Sequence, residues 1–145
     1  GRTAEWFARQ GRKVVLADTE DRNRTDLPLH LYDGVHLPFA DKSVDISLLL
    51  TTLHHREDPL AALREVVRVT RSRFHVMFDW LYHHVLEGRS KLAYKFNTPR
   101  GWLWFFRDAG LRERASVDLG VDQPTVPEYH WLYVLDVPAT AVMGG

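Results

Sequence analysis

No cysteine occurs among the 145 residues, which excludes a disulfide framework and any thiolate zinc site. A reducing, cytoplasmic setting is the expectation that follows. No apolar run approaches the roughly 18 residues of a membrane-spanning helix, and no leader-like layout opens the chain, so no membrane partner is expected. Neither sign of charge prevails, since 19 basic residues meet 19 acidic ones. That balance argues against a nucleic-acid footprint and against an acidic tail. An initiator Met is also missing; the chain opens on Gly1-Arg2, as if within a longer motif. What is present is a 45% hydrophobic composition, enough for a real core, in a length that suits one domain over residues 1–145.

Thr3 suits the cap of a short helix carrying Trp6 and Phe7, with Gly11 at its C′ position. Lys13 to Ala17 is a short apolar run rich in β-branched residues that ends at Asp18 and reads as a buried strand, and Pro28-Leu-His-Leu-Tyr32, ending at Asp33-Gly34, reads as a second strand. Residues 19 to 27 are polar and too short for a helix. Val44 to Leu50 is apolar almost throughout, which suits a strand covered on both faces. Asp58-Pro59 pairs a cap residue with Pro at N1, and Leu60, Leu63, Val66 and Val67 follow at helical spacing. A strand is expected near Phe74 to Phe78, and a substrate-side insertion over 81–97. Thr98-Pro99 starts a helix whose apolar face is Trp102, Leu103, Phe106 and Ala109 and whose end is Gly110. Arg114 to Leu119 and Trp131 to Val137 read as two strands with no helix between them, hence antiparallel neighbours, separated by a loop marked by Pro124 and Pro127. Alternation of this kind predicts an α/β domain with a mostly parallel sheet.

In open α/β sheets, ligands bind outside the C-terminal ends of the strands. Asp18, Asp33 and the segment Thr51 to His55 each follow an expected strand. A carboxylate at Asp18 suits the paired hydroxyls of a ribose, and one at Asp33 suits an exocyclic amine. Gly34 allows the backbone to approach a flat base. Each acid alone also fits a plain turn residue.

The run Asp33-Gly-Val-His-Leu-Pro-Phe-Ala-Asp-Lys-Ser-Val-Asp45, then Leu53-His54-His55, then Ala62-Leu-Arg-Glu-Val-Val-Arg-Val69 resembles the central stretch of class I methyltransferases of the type 11 group. Thr98 to Leu111 resembles that family's late helix, and Tyr129 to Val137 its final strand. The resemblance implies a Rossmann-like sandwich with a mostly parallel sheet, an antiparallel final strand and no counterpart here of the first strand. It implies S-adenosylmethionine as cofactor and a small-molecule methyl acceptor. By the same resemblance Gly1 is the last glycine of the family's glycine motif, Asp18 the ribose-binding acid, Asp33 the adenine-amine acceptor and Gly34 the residue at the ring edge. Thr51 and Thr52 then lie beside the methionine part of the cofactor.

Three departures stand out. The first strand and most of the glycine loop have no counterpart, Thr70-Arg-Ser-Arg73 replaces the usual Lys-Pro-Gly-Gly turn, and the span from Asp18 to Asp33 is short. A sheet without its central strand has two inner edges lacking partners, which predicts instability, partial rearrangement or completion by further residues; an exposed inner edge also favours association into a homo-oligomer. Among the eight histidines, no pair has helical metal-ligand spacing on a secure helix, so no metal site is expected. His55 and His83 are the candidates for a general base, with Asp79 and His84 as neighbours that could line the same mouth. Trp80, Tyr82, Tyr94, Phe96, Trp102, Trp104 and Phe105 suit an acceptor pocket or ordinary packing. Two other readings compete: a non-catalytic methyltransferase-like partner subunit, and a nicotinamide-type oxidoreductase, which lacks the Leu-Pro-Phe to Leu-His-His stretch.

Overall fold

The computed structural model describes residues 2–50, 52–53, 56–81, 99–121 and 128–138. They form α1 (Arg2–Arg9), β1 (Leu16–Asp18), β2 (Leu29–Leu31), β3 (Val44–Leu50), α2 (Pro59–Val69), β4 (Thr70–Leu81), α3 (Pro99–Asp108), β5 (Arg112–Val121) and β6 (Glu128–Asp136). The succession of helices and strands is the one the sequence predicts. The chain divides into two compact units, Gly1–Pro38 and Phe39–Gly145.

In the first unit, α1 ends where expected. Gly11 adopts φ 77°, the left-handed geometry that glycine takes without a Cβ penalty, and its amide donates to the Ala8 carbonyl at 3.0 Å. β1 and β2 form a parallel pair in the register Leu16↔Leu29, Ala17↔His30, Asp18↔Leu31. Both strands are shorter than the apolar runs that announce them. Pro28 has no N–H to give the ladder, so it contributes only its carbonyl, which accepts from the Leu16 amide at 2.8 Å. Between the strands there is no helix. Asn23 organises the segment instead: its Oδ1 accepts from the Thr25 amide at 3.0 Å and hydroxyl at 2.7 Å, and its Nδ2 donates to the Leu27 carbonyl at 2.9 Å. Short polar side chains of this kind compete with helical bonding and favour turns.

The second unit is a four-stranded sheet in the order β3-β4-β6-β5. β3 and β4 are parallel, while β6 runs antiparallel to both β4 and β5, so the last two strands are the antiparallel neighbours expected. Asp58 caps α2 by accepting from the Ala61 amide at 2.9 Å, with Pro59 at N1. α2 buries Leu63, Val66, Val67 and Val69, and α3 buries Trp102 and Phe106. Phe106 meets Tyr133 of β6 edge-on with ring centroids 5.1 Å apart. Each such side chain removed from water contributes about 1.5–3 kcal/mol.

Two expectations need correction here. β4 contains the expected Phe74 to Phe78 but begins earlier, at Thr70, directly off α2. Thr70 turns to extended backbone (φ −88°, ψ 131°) while its amide still donates to the Val66 carbonyl. Its buried hydroxyl bonds the same carbonyl at 2.5 Å and the Ser47 hydroxyl at 2.6 Å. The passage from helix to strand therefore needs no glycine turn, which accounts for Thr70-Arg-Ser-Arg73. The second correction concerns β3, expected to be covered on both faces. Ile46 and Leu48 are 50% and 37% exposed. Among the described residues β3 pairs with β4 alone and β1 with β2 alone; both are edge strands, and an edge strand is incompletely covered.

Candidate functional site

The parallel register brings two of the predicted site residues to one end of one strand pair. Asp18 is the last residue of β1, and its carbonyl accepts from the Tyr32 amide at 3.0 Å just beyond β2. Asp33 follows Tyr32. Both acids therefore leave the C-terminal edge of the β1–β2 pair, the end at which open α/β sheets bind ligands. Asp18 is half-buried, and its Oδ1 accepts from the Thr19 amide at 2.7 Å.

Asp33 is bound more fully. Its Oδ1 accepts from the amides of Val35 and His36, at 2.8 and 2.6 Å, and its Oδ2 meets His36 Nδ1 at 2.8 Å. Those bonds favour the charged form. The His36 amide, then its ring and then the Val35 amide hold the Asp33 carboxyl well below the usual carboxylate range. Gly34 sits at the bend with φ 87°, a conformation that a side chain would strain. The turn reading of Asp33 therefore holds. The carboxylate caps its own loop and still projects from it, 57% exposed.

A carboxylate offers about four acceptor positions. Among the described residues, one hydrogen bond engages the Asp18 carboxylate and three engage that of Asp33. Asp18 retains capacity for a two-donor group such as a vicinal diol. Asp33 retains capacity for about one donor, on Oδ2. His36, which creates this difference, was not picked out in the sequence; its spacing of three from a strand-end Asp-Gly is the signal that could have found it.

In the second unit, Thr52 lies just past β3 and donates its hydroxyl to the Leu50 carbonyl at 2.8 Å. Leu53 next to it is fully buried and anchors the segment. Gly1, Thr51, His54, His55, His83 and His84 lie outside the described residues, as does the proposed insertion beyond Leu81. Asp79 is a β4 residue opposite His130 in the ladder. Of the aromatics expected to line a pocket, Trp102 belongs to the core. Trp104 is exposed and carries the Arg107 guanidinium 5.3 Å from its ring centroid. Among the described residues no three potential metal ligands cluster, and no helix is long and apolar enough to cross a membrane.

The other acids of the central motif stand at the N-terminal end of β3 and do different work. Arg68 of α2 donates to Glu65 at 2.5 and 2.9 Å, to Asp41 at 2.7 Å and to the Phe39 carbonyl at 2.9 Å. The bonds to Glu65 and then Asp41 push its pKa above the usual guanidinium value. Lys42, with φ 53°, donates Nζ to the carbonyls of Val67 and Thr70 at 3.0 Å each. Arg71 holds Asp45 at 2.7 Å. The Leu-Pro-Phe-Ala-Asp stretch and the Asp-Lys-Ser-Val-Asp stretch are therefore a clamp between the loop entering β3 and the C-terminal end of α2. Sequence spacing does not reveal this clamp, because its partners lie 25 to 29 positions apart.

Comparison with known proteins agrees with this frame. A Methanosarcina mazei protein described as a SAM-dependent methyltransferase superposes with a TM-score of 0.70 at 11% identity, covering 91% of this chain and 85% of that one. The geranyl diphosphate C-methyltransferase of Streptomyces coelicolor, solved with magnesium, geranyl diphosphate and S-adenosyl-L-homocysteine, gives a TM-score of 0.68 at 14% identity over 95% of this chain and 67% of that one. At such identities the likeness is one of fold. In sequence, the demethylmenaquinone methyltransferase of Paenarthrobacter aurescens is 35% identical over 78 residues, 49% of this chain and 31% of the relative. The uncharacterized Escherichia coli protein YafS is 60% identical over 37 residues, 26% of this chain and 15% of the relative. The chain thus matches less than a third of the length of these curated relatives. Residues 1–78, more than half of the 145, match the family model described as a methyltransferase domain, and the chain belongs to that family, the type 11 group of class I methyltransferases.

Proposed function

We propose that this domain binds S-adenosylmethionine at the C-terminal ends of its strands and supports methyl transfer to a small-molecule acceptor. The observation that carries the reading is the parallel β1–β2 pair, which has Asp18 as the last residue of β1 and Asp33 two residues beyond β2, with the left-handed Gly34 between Asp33 and its capping amides. Their donor preferences fit the group. Asp18, with one oxygen engaged, suits the two ribose hydroxyls; Asp33, with about one acceptor position left, suits one hydrogen of the adenine amine. Bound there, the cofactor supplies a methyl group already activated on a sulfonium, which moves by in-line displacement. The protein's own share is alignment and exclusion of water, and alignment alone can supply up to about 7–11 kcal/mol of a barrier.

Gly1, Thr51 and Thr52 are proposed to complete the cofactor site, and His55 or His83 to act as base where the acceptor must lose a proton. A small acceptor is supported by the balanced charge and by the acceptors in two relatives' names, demethylmenaquinone and geranyl diphosphate. The open edge of β3 favours association with a second copy.

Calorimetric titration with S-adenosylhomocysteine tests the reading, on this chain, on its Asp18→Ala variant and on a form extended upstream. Binding that Asp18→Ala weakens at least about tenfold supports it, as expected for the loss of two charge-assisted hydrogen bonds. Absence of binding by both the chain and its extended form would leave the domain methyltransferase-like in fold alone and bring the partner-subunit reading forward.

A further inference from the structure

His36 belongs to none of the roles considered so far, yet it makes two of the three bonds to Asp33. Its backbone amide reaches Oδ1 at 2.6 Å and its ring Nδ1 reaches Oδ2 at 2.8 Å. With the Val35 amide also on Oδ1 at 2.8 Å, both carboxylate oxygens are tied to one loop. The plane of the group can no longer turn freely about its terminal torsion, which is otherwise soft. The imidazole is 78% exposed, so it contributes little to packing. A histidine that is solvent-facing, bonded through its ring to the acid of a ligand loop and absent from the core has more to do with aiming that acid than with holding the fold.

We infer that His36 is a positioning residue that selects the nucleoside: by occupying one side of Asp33 Oδ2 it leaves a single acceptor position, which takes an amino hydrogen of a 6-aminopurine and rejects a 6-oxopurine. The inference rests on the cofactor reading above and sharpens it. Without the ring contact, Oδ2 gains a second vacant acceptor position and the carboxylate gains rotational freedom, so a donor at one fixed place is met less often. A 6-oxopurine presents an acceptor oxygen where the amine stood. Two acceptors then face each other, and the desolvated carboxylate has no donor to compensate it.

The experiment compares S-adenosylhomocysteine with S-inosylhomocysteine, its 6-oxo counterpart, by calorimetry on the full chain and on His36→Ala and His36→Asn variants. The Asn amide nitrogen stands near where the imidazole Nδ1 was and can donate in its place. Wild type is expected to prefer the adenosyl ligand by well over tenfold. His36→Ala should weaken that ligand about five- to tenfold, less than the loss of a direct hydrogen bond to a charged group because the ligand's own bond to Asp33 remains, and narrow the preference with an unchanged thermal midpoint. His36→Asn should restore most of both. Equal affinity and equal preference in His36→Ala overturn the inference.

A second measurement needs no ligand. The carboxyl carbon of Asp33, followed by NMR through an acid titration, should titrate higher in His36→Ala than in wild type; an unmoved titration also overturns the inference. Should wild type bind neither ligand while the Asp33 titration does move, the cofactor reading fails and the selective role falls with it. Binding of both ligands equally by wild type overturns the selective role alone.

Discussion

Residues 2–38 and residues 39–138 are held by different forces. In the first stretch no residue is buried; order comes from a three-residue parallel pair and from side chains that bond their own neighbours, as Asn23, Asp18 and Asp33 do. In the second, α2, α3 and β6 enclose Leu63, Val67, Phe106, Tyr133 and Leu135, each at 1% exposure or less. The acids proposed to hold the cofactor thus stand on the part with least core. Segments with few buried contacts open locally at low free energy. A ligand that binds such a segment only when it is ordered stabilises it by mass action. The same residue type also behaves differently in the two regions. Asp41 and Asp45 meet arginines across long stretches of chain, whereas Asp33 meets amides and a ring within three positions.

The largest test of this contrast is Phe106→Ala. It empties the centre of the second unit and should cost about 3–5 kcal/mol, read as a lower urea midpoint with unchanged slope. A loss below about 1 kcal/mol would show that the second unit is not held by this core. Tyr133 probes the same core by pH. Burial pushes its phenol up to about 12. The unfolded phenol gives up its proton first, near pH 10, so this contribution is whole below about pH 10 and is lost as pH rises toward 12. Phenolate absorbance should show one tyrosine ionising last, together with unfolding.

Arg68→Ala should cost about 1–3 kcal/mol, because it removes two hydrogen bonds from Glu65, whose side chain is 15% exposed, and the bond to Asp41. Hydrogen exchange should speed at Lys42, whose amide bonds the Arg68 carbonyl, and leave the Tyr32 amide of the first unit unaffected. Coupling between the two would break the comparison. Asp58→Ala removes a helix cap and should cost about 1 kcal/mol. Leu29→Ala, on a half-buried strand position of the first unit, should cost less than about 1 kcal/mol in global denaturation while raising exchange at Leu16 and Tyr32.

The smallest global effect belongs to Asp33. Its folded-state carboxyl titrates below the ordinary value, so its contribution is present above about pH 4 and is lost as pH falls through the depressed value. Exposure confines the effect to the loop. The amides of Val35 and His36 should shift in that acid range, with no accompanying change in the far-ultraviolet signal that is not already seen in Asp33→Asn.

The succession of elements, the cap at Asp58 with Pro59, the bounds of β3 and the left-handed stop at Gly11 were all legible in the sequence. Each depends on residues within a turn or two of one another, and such local preferences operate wherever the chain goes. The strand-end acids Asp18 and Asp33 were legible as candidates for the same reason. Their shared edge required the register of β1 on β2, which no local preference specifies. Tertiary structure alone decided that the central motif divides into the capped Asp33 loop and a clamp, that Thr70 carries helix directly into strand, and that Ile46 and Leu48 stay open to solvent. Those outcomes follow from bonds between groups some 25 positions apart and from which sheet edges find partners, and both depend on how the whole chain closes on itself.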